Sequence, residues 1–572
     1  MQEIELKFQI PADALDAVRA ELTRLAPGQA LPEPLTLQAA YFDTPDRRLA
    51  AARSALRVRR EGDDWVQTLK AAGSHTMVRV EDNRPTAPPP PGQPLAARLS
   101  LHAGGPAEAA LREALGWTPE TDPHGERCGL VALYRTDMQR TRVQWRVGVG
   151  TLHEGLVELA LDEGAIVAGP AEAEHRVPVR ELEIELLEGH PQAVIDAGRD
   201  WVSRFGLWLD TQTKAHRGDR LARLAVDGDA GAALPQAFKP RPARLPATGL
   251  DTLTAQAAWR AGTEACLAHI TAHMSELASL ADADDAALVT AQWRRGLRGL
   301  RALGRLVETS LAQGQDLGIP PAATIALQEA CRLAAELSRQ LGPWRDQDAL
   351  AWVSDALKRA GVQAAALPPL PRPSEGPASP MALARTASAT EVCLLVLTAL
   401  VSPIAAHSPP QDDAAHARAL LSARDWLGEA LRDGQRRCLR TSRRFDTLGS
   451  EATHRLRRRL RQLRDLTELF APLWPDEGEA QHREVQTPQA ARPAAMKDAL
   501  KHALKALGRI QDVEVARSRF AAGADGLGGG GGGGKPDGAT RQACQWLDRQ
   551  RKPLRKQAER ALRRWRRRAT AG

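Results

Sequence analysis

The opening QEIELKFQ alternates, with Glu3, Glu5 and Lys7 on one side and Ile4, Leu6 and Phe8 on the other. Successive side chains of a strand point to opposite faces, so this pattern predicts a strand with one charged and one apolar face. The same pattern returns through the first part of the chain. Arg57 and Arg59 alternate in LRVRR, Arg79 and Glu81 in VRVED, and Arg140 and Arg142 in RTRVQW. Glu158 and Asp162 share a face in VELALD, and Glu181, Glu183 and Glu185 do so in RELEIEL. Lys70 ends a further short strand, WVQTLK. Two stretches, Pro11 to Leu25 and Pro191 to Gly206, have instead the spacing of amphipathic helices that would cover apolar strand faces.

From Asp251 onward the period changes to that of helices. The chain therefore divides into a strand-rich domain (1–226), a Pro/Ala-rich linker (227–250) and a helical domain (251–572). The helical part repeats itself. His454, Arg457, Arg461 and Arg464 have the spacing of Ala291, Arg294, Arg298 and Arg301, an offset of 454−291 = 163. GPWRDQD at Gly342 resembles GRIQDVE at Gly508, an offset of 508−342 = 166. Two features in the same order predict a duplicated helical bundle, with repeats at about 251–366 and 381–572 and with Pro-rich (367–380) and Gly-rich (526–538) loops.

Charge sharpens the division. Residues 1–226 hold 27 Lys+Arg and 33 Asp+Glu, a net of −6; the remainder holds 51 and 37, a net of +14. The basic surplus suggests an anionic partner for the helical part. Six cysteines without paired CxxC spacing fit a reducing compartment. The most apolar run, Val392 to Ala406, is interrupted by Pro403 and falls short of the roughly 20 residues of a membrane span. A charged strand at the very start leaves no room for a signal peptide. The expectation is a cytoplasmic protein with no membrane partner and no specific nucleic acid; its oligomeric state is open.

A row of like charges such as Glu181, Glu183 and Glu185 repels itself at roughly 7 Å spacing. A plain solvated face gains nothing from it. Carboxylate rows suit Mg²⁺ or Mn²⁺, and Arg/Lys rows suit phosphate oxygens. A sheet closed with its polar side inward would bring both rows to one lumen. No GxxxxGK[ST] loop offers a Walker-type alternative.

These residues resemble the CYTH family of triphosphate tunnel metalloenzymes. The likeness rests on Glu3-x-Glu5-x-Lys7, YFDTPD (Tyr41 to Asp46), LRVRR, ALDEG (Ala160 to Gly164), ELEIELLEG (Glu181 to Gly189) and TKAHRG (Thr213 to Gly218), all in order. The helical part, through HRLRRRLRQLRDLTELF and Gly508 to Asp512, resembles the CHAD family. The resemblance implies a multidomain α+β chain: an N-terminal eight-stranded antiparallel β-barrel tunnel with covering helices, then a duplicated all-α bundle. It implies an inorganic triphosphatase that hydrolyses triphosphate or short polyphosphate with Mg²⁺ or Mn²⁺. Glu3, Glu5, Asp162, Glu183 and Glu185 would hold metal. Lys7, Arg57, Arg59, Lys70, Arg79, Arg140, Arg142 and Lys214 would grip phosphate, and Glu5, Asp162 and Lys7 would serve catalysis. Arg294, Arg298, Arg301, His454, Arg457, Arg461 and Arg464 would bind polyphosphate, with Ala291 standing where the first repeat should carry its histidine. The alternatives are a class IV-type adenylate cyclase, a thiamine triphosphatase, and a noncatalytic polyphosphate-binding scaffold.

Overall fold

The computed structural model describes residues 2–72, 78–105, 108–227, 237–246, 248–280, 286–362, 379–402, 421–474, 493–526 and 538–570. Most of the expected Pro-rich and Gly-rich loops, and residues 228–236 of the expected linker, lie outside the described residues, as do the side chains of Glu3 and Arg79. Two compact units emerge, neither of them one continuous piece of chain. The first comprises Met1–Ala237, Ile270–Asp285 and Met381–Ser402; the second comprises Phe238–His269, Ala286–Pro380 and Pro403–Gly572.

In the first unit, nine antiparallel strands form one sheet. They are β1 (Gln2–Gln9), β2 (Leu35–Asp43), β3 (Ala55–Glu61), β4 (Asp64–Ala72), β5 (Val78–Pro85), β6 (Val131–Val147), β7 (Gly155–Ala168), β8 (His175–Gly189) and β9 (Trp208–Leu209). Their order is β5-β4-β3-β2-β6-β7-β8-β1-β9. In addition, Gln2–Ile4 of β1 pair with Val78–Val80 of β5. The expected closed eight-stranded barrel is thereby corrected. Among the described residues there are nine strands, and β1 meets β5 over three residue pairs. The reason lies in β1, whose beginning pairs with β5 while Phe8 and Gln9 pair with β9, so no one partner follows β1 along its length.

The sheet is nevertheless strongly rolled. β1, eighth in the strand order, pairs back with β5, the first, although seven steps of about 4.8 Å would separate the two in a flat sheet. Rolling gives the two faces different solvents. The outer face carries the apolar alternates: Leu6, Phe8, Leu159, Leu161, Leu182 and Ile184 are buried, and helix α4 (Gln192–Phe205) covers them with Val194, Ile195 and Trp201. A Cβ at Gly198 of that helix would stand 2.6 Å from the Phe8 ring, so only glycine permits this approach. Elsewhere Phe42, Leu56, Val58 and Leu69 pack against Leu99, Leu111, Leu115 and Trp117. The Pro/Ala-rich stretch between β5 and β6 thus supplies a second cover.

The helices of the strand-rich part are α1 (Leu15–Leu25), α2 (Arg48–Ala51), α3 (Glu108–Leu115), α4 (Gln192–Phe205) and α5 (Lys214–Asp227). They are followed by α6 (Ala255–Ser279), α7 (Ala286–Ala312), α8 (Pro321–Gln340), α9 (Gly342–Arg359), α10 (Pro380–Ala384), α11 (Ala387–Val401), α12 (Ala423–Arg443), α13 (Ser450–Leu469), α14 (Pro493–Gly526) and α15 (Gly538–Thr570). The apolar run at Val392 is α11, whose Val392, Cys393, Leu394 and Val396 are buried in the first unit. No described helix is long and apolar enough to cross a membrane.

The second unit is helical. One of its cores gathers Leu456, Leu460, Leu463, Leu500, Leu507, Leu562 and Trp565. Leu297 and Leu300 of α7 are as buried as their offset counterparts Leu460 and Leu463 of α13. The repeated sequence thus uses the same positions for core in both copies.

Candidate active site

Cross-strand partners point to the same face, so register alone assembles the site. Glu5 lies opposite Glu185, Lys7 opposite Glu183, and Gln9 opposite Glu181. On the next strand Glu158 faces Glu185, and Asp162 faces Glu181. Arg140 follows opposite Asp162. Across the rest of the sheet Tyr41 faces Arg57, and Lys70 faces Glu81. Among the described residues, the charged alternates named from the sequence therefore fall on one inward face.

The centre of that face is a cage of opposite charges. Asp162, Glu181 and Glu183 each place a carboxylate oxygen within 4.8 Å of the others. Lys214 Nζ sits among them, at 2.8 Å from Asp162, 2.6 Å from Glu181 and 2.9 Å from Glu183. Arg140 donates to both oxygens of Asp162, at 2.6 Å each, and also reaches Glu183. Lys7 and Arg217 add further cations on Glu181, at 3.4 and 2.5 Å. Burial would raise the carboxyl groups of Glu181 and Glu183. The surrounding cations, Lys214 foremost, outweigh it and hold both below the ordinary carboxylate range. Reciprocally, burial opposes the charge of Lys214, but Asp162, Glu181 and Glu183 hold its ammonium protonated well beyond the usual range.

Two residues along β8, the balance reverses. Glu185 is held above the ordinary carboxylate range, first by burial and then by the negative charges of Glu158 and Glu5. Hard oxygen donors that repel one another fit a divalent cation, which would relieve the repulsion. The Asp162–Glu181–Glu183 trio offers the same donor chemistry, but Lys214 already fills its centre.

A third group is cationic. Arg57 lies beside the Tyr41 hydroxyl, 3.4 Å from it, and Arg59 donates to Glu61 at 2.6 Å. Burial, and then the neighbouring Arg57 charge, push Arg59 down to about 10. Crowded guanidinium groups gain when an anion joins them. Lys70 pairs with Glu81 at 2.8 Å and Arg142 with Glu158 at 3.5 Å.

Helix α5 delivers Lys214 and Arg217, which share a face at i, i+3 spacing. Thr213 caps its start by accepting from the His216 amide at 3.0 Å. The helix lies on Tyr134, which stacks on Tyr41 with ring centroids 4.8 Å apart and donates to the Ala215 carbonyl at 3.0 Å. A Cβ at Gly218 would stand 2.2 Å from the Tyr134 ring, which explains the glycine closing TKAHRG. The YFDTPD motif has a structural use as well. Asp43 accepts from the amides of Thr44, Leu49 and Ala50 at 2.7–2.9 Å and so starts α2. Arg47, just before α2, then holds Asp219 of α5 at 2.7 Å.

Of the residues expected from the sequence, the structure gathers Lys7, Arg140, Asp162, Glu183 and Lys214 into the cage. Glu5 and Glu185 stand beside it, and Arg57, Arg59, Lys70 and Arg142 are on the same face. Glu3 and Arg79 pair through their backbones, but their side chains lie outside the described residues. Glu158, Glu181 and Arg217 complete the arrangement and were absent from the expected set. The alternation already placed Glu158 and Glu181 on the charged face, and Arg217 is one helical turn from Lys214.

In the second unit, the two arginine stripes approach each other with acid between them. Asp465 of α13 accepts from Arg298 of α7 at 2.6 Å and from Arg464 at 2.9 Å. Glu468 pairs with Arg295 at 2.5 Å. Arg457 is buried and lies against Gly508, where a Cβ would be 3.2 Å from its guanidinium. His454 bonds Gln511 at 2.8 Å. Arg301 is held below its ordinary range by burial, then by Arg305. Arg294 and Arg461 are half-buried members of the same stripes. At the offset of 163, Asp465 corresponds to Ala302, so the acid belongs to one repeat only.

Residues 1–218 match the CYTH domain family and residues 261–519 the CHAD domain family. A curated relative, the inorganic triphosphatase of Haemophilus influenzae, is 30% identical over 225 residues, covering 38% of this chain and 54% of the relative. The chain thus spans about half the length of that relative. A solved structure from Hippeastrum, titled as an adenylyl cyclase candidate with a dominant triphosphatase activity, is 20% identical and covers 37% of this chain and 91% of its own, with a TM-score of 0.25. The CHAD domain from the plant Ricinus communis is 17% identical over 56% of this chain and 96% of its own, with a TM-score of 0.33. The family matches agree with the motifs and their order. The chain carries a CYTH domain followed by a CHAD domain.

Proposed function

We propose that the rolled sheet hydrolyses inorganic triphosphate, or short polyphosphate, to phosphate and diphosphate. The observation that carries this is the single inward face on which carboxylates and at least six cations converge from separate strands and α5. Arg57, Arg59, Arg140 and Lys70 grip the phosphate chain. Their donors neutralise charge on its oxygens and fix the terminal phosphorus for in-line attack by water. The bond to the bridging oxygen breaks as the water oxygen bonds phosphorus, and a proton leaves that water.

Glu5, Glu158 and Glu185 would hold Mg²⁺ or Mn²⁺; Glu5 and Glu185 belong to the expected metal set, and Glu158 takes the place of Asp162 and Glu183, which Lys214 and Arg140 engage. The ion would supply charge neutralisation and a more acidic water. Asp162, with both oxygens engaged by Arg140 and one also by Lys214, orients these cations rather than accepting the proton. Glu5 is the better-placed acceptor beside Glu185.

A substrate panel tests this reading. Phosphate release from tripolyphosphate with Mn²⁺ or Mg²⁺, lost in EDTA and much slower from ATP or thiamine triphosphate, is the expected result. Tight binding without release would make the chain a scaffold instead. Preference for ATP with loss of diphosphate would make it a cyclase.

The helical unit, in the same proposal, binds longer polyphosphate along its arginine stripes. Arg294→Glu with Arg461→Glu is expected to weaken polyphosphate binding roughly tenfold or more, since charge-assisted contacts contribute about 1.5–3 kcal/mol each. Asp465→Asn should tighten it by releasing Arg298 and Arg464. Calorimetric titration of the full chain at two salt concentrations reads both signs, and identical affinities in all three proteins would remove the stripes from the binding surface.

A further inference from the structure

Helix α5 has two working sides. Lys214, Arg217 and Gly218 meet the cage and Tyr134, while His216 and Arg220, one helical turn apart, meet a different partner. That partner is Glu276, near the end of α6 and within the same compact unit. His216 Nε2 is 3.0 Å from Glu276 Oε1, and Arg220 binds the other carboxylate oxygen. Glu276 is itself buried, with 5% of its surface exposed. Burial opposes its charge, but His216 and Arg220 keep its carboxyl below the ordinary range.

The same turn of α6 pins the segment leading into α5. Ser275 Oγ accepts from the Thr211 amide at 2.9 Å, and Ser279 Oγ accepts from Gln212 and from Arg220 at 3.4 Å. The Gln212 carbonyl, in turn, accepts from Lys7. Both Lys7 and Lys214 are therefore held by a segment that α6 fastens. Glu276 lies beyond residues 1–218 and inside the 261–519 range matched by the CHAD family.

We propose that Glu276 is a positioning residue for the site: through His216 and Arg220 it orients α5, and so seats Lys214 and Arg217 against Asp162, Glu181 and Glu183. The kinetic part rests on the triphosphatase reading; the positioning itself does not. Buried ion pairs suit such registry roles because a misplaced partner leaves an uncompensated charge.

The test uses the full chain with Glu276→Gln, Glu276→Asp and the charge-exchanged pair Glu276→Arg with Arg220→Glu. Glu276→Gln is expected to lower kcat for Mn²⁺-tripolyphosphate about tenfold or more, with KM changed much less. Glu276→Asp and the exchanged pair should recover a large part of the loss. Hydrogen exchange needs no substrate: the amides of Lys214–Asp227 should exchange faster in Glu276→Gln while those of β6 and β7 keep their protection. Unchanged exchange in α5 overturns the proposal, and so does a kcat loss matched by faster exchange throughout the sheet. A wild-type chain inert to every triphosphate would overturn the catalytic reading alone, and exchange would still decide the positioning.

Discussion

Glu185→Gln is expected to lower metal-dependent triphosphate turnover by about 100-fold or more, because it removes a donor from the group proposed to hold the ion. Its effect on the metal-free protein has the opposite sign. Burial and the Glu158 and Glu5 charges raise the carboxyl of Glu185 in the folded state. A raised carboxyl makes folding less favourable once pH exceeds its unfolded value of about 4.3, and the cost is complete above the folded value. In EDTA at pH 7 the Gln variant should therefore melt at a higher temperature than the wild type, and at pH 4 the two should coincide. Added Mn²⁺ should reverse the order, since only the native site binds it tightly; an ion at 100 times its Kd adds about 2.7 kcal/mol. Melting curves in EDTA and in Mn²⁺, with turnover measured beside them, read all three effects. Full turnover in the Gln variant would place the metal elsewhere.

Lys214→Met should produce the largest loss of stability. The substitution keeps a long unbranched side chain, one atom shorter, but leaves Asp162, Glu181 and Glu183 around an apolar end. Breaking a buried pair in this way costs about 3–5 kcal/mol. In the wild type, Glu181 and Glu183 are depressed, so their contribution is present above the unfolded value of about 4.3 and fades as pH falls through the lower folded values. In the variant, acid protonates the stranded carboxylates and relieves them. The gap between the two proteins should therefore be widest near pH 7 and narrow below pH 4. Urea unfolding of the first unit at both pH values checks this, alongside turnover, which should fall by about a thousandfold from loss of the orienting cation. Equal midpoints at pH 7 would mean that the ammonium is not what stabilises the trio.

Much of this site was legible before any coordinates. Period-2 alternation assigns a face to each charge, and register then brings equal faces together, so Glu5, Lys7, Arg57, Arg140 and Glu183 could be grouped by reading alone. The strand count was not legible, because Trp208–Leu209 is a two-residue strand that gains its pairing only by lying beside Phe8 and Gln9. Neither was the division of the carboxylates. Asp162, Glu183 and Glu185 look alike in sequence; Lys214 and Arg140 neutralise the first two and leave the third crowded by Glu158 and Glu5.

The helical part teaches the same lesson from the other side. The arginine stripes and their 163-residue repeat are periodic, hence visible, and their leucines are core in both copies. The places of Asp465 and Glu468 were not legible, since each meets its arginine partner on α7 only when two distant helices pack.

By itself, the amino-acid order determined which side chains share a face, where strands give way to helices, and which families the chain resembles. Those properties follow from local periodicity and need no knowledge of partners. Tertiary structure alone decided which cation meets which carboxylate, that Ser275, Glu276 and Thr390 belong with the sheet, and that β1 meets β5 over three residue pairs. Charge pairing depends on distances between residues up to about two hundred positions apart in the chain, such as Lys7 and Asp210, and only the rolled sheet sets those distances.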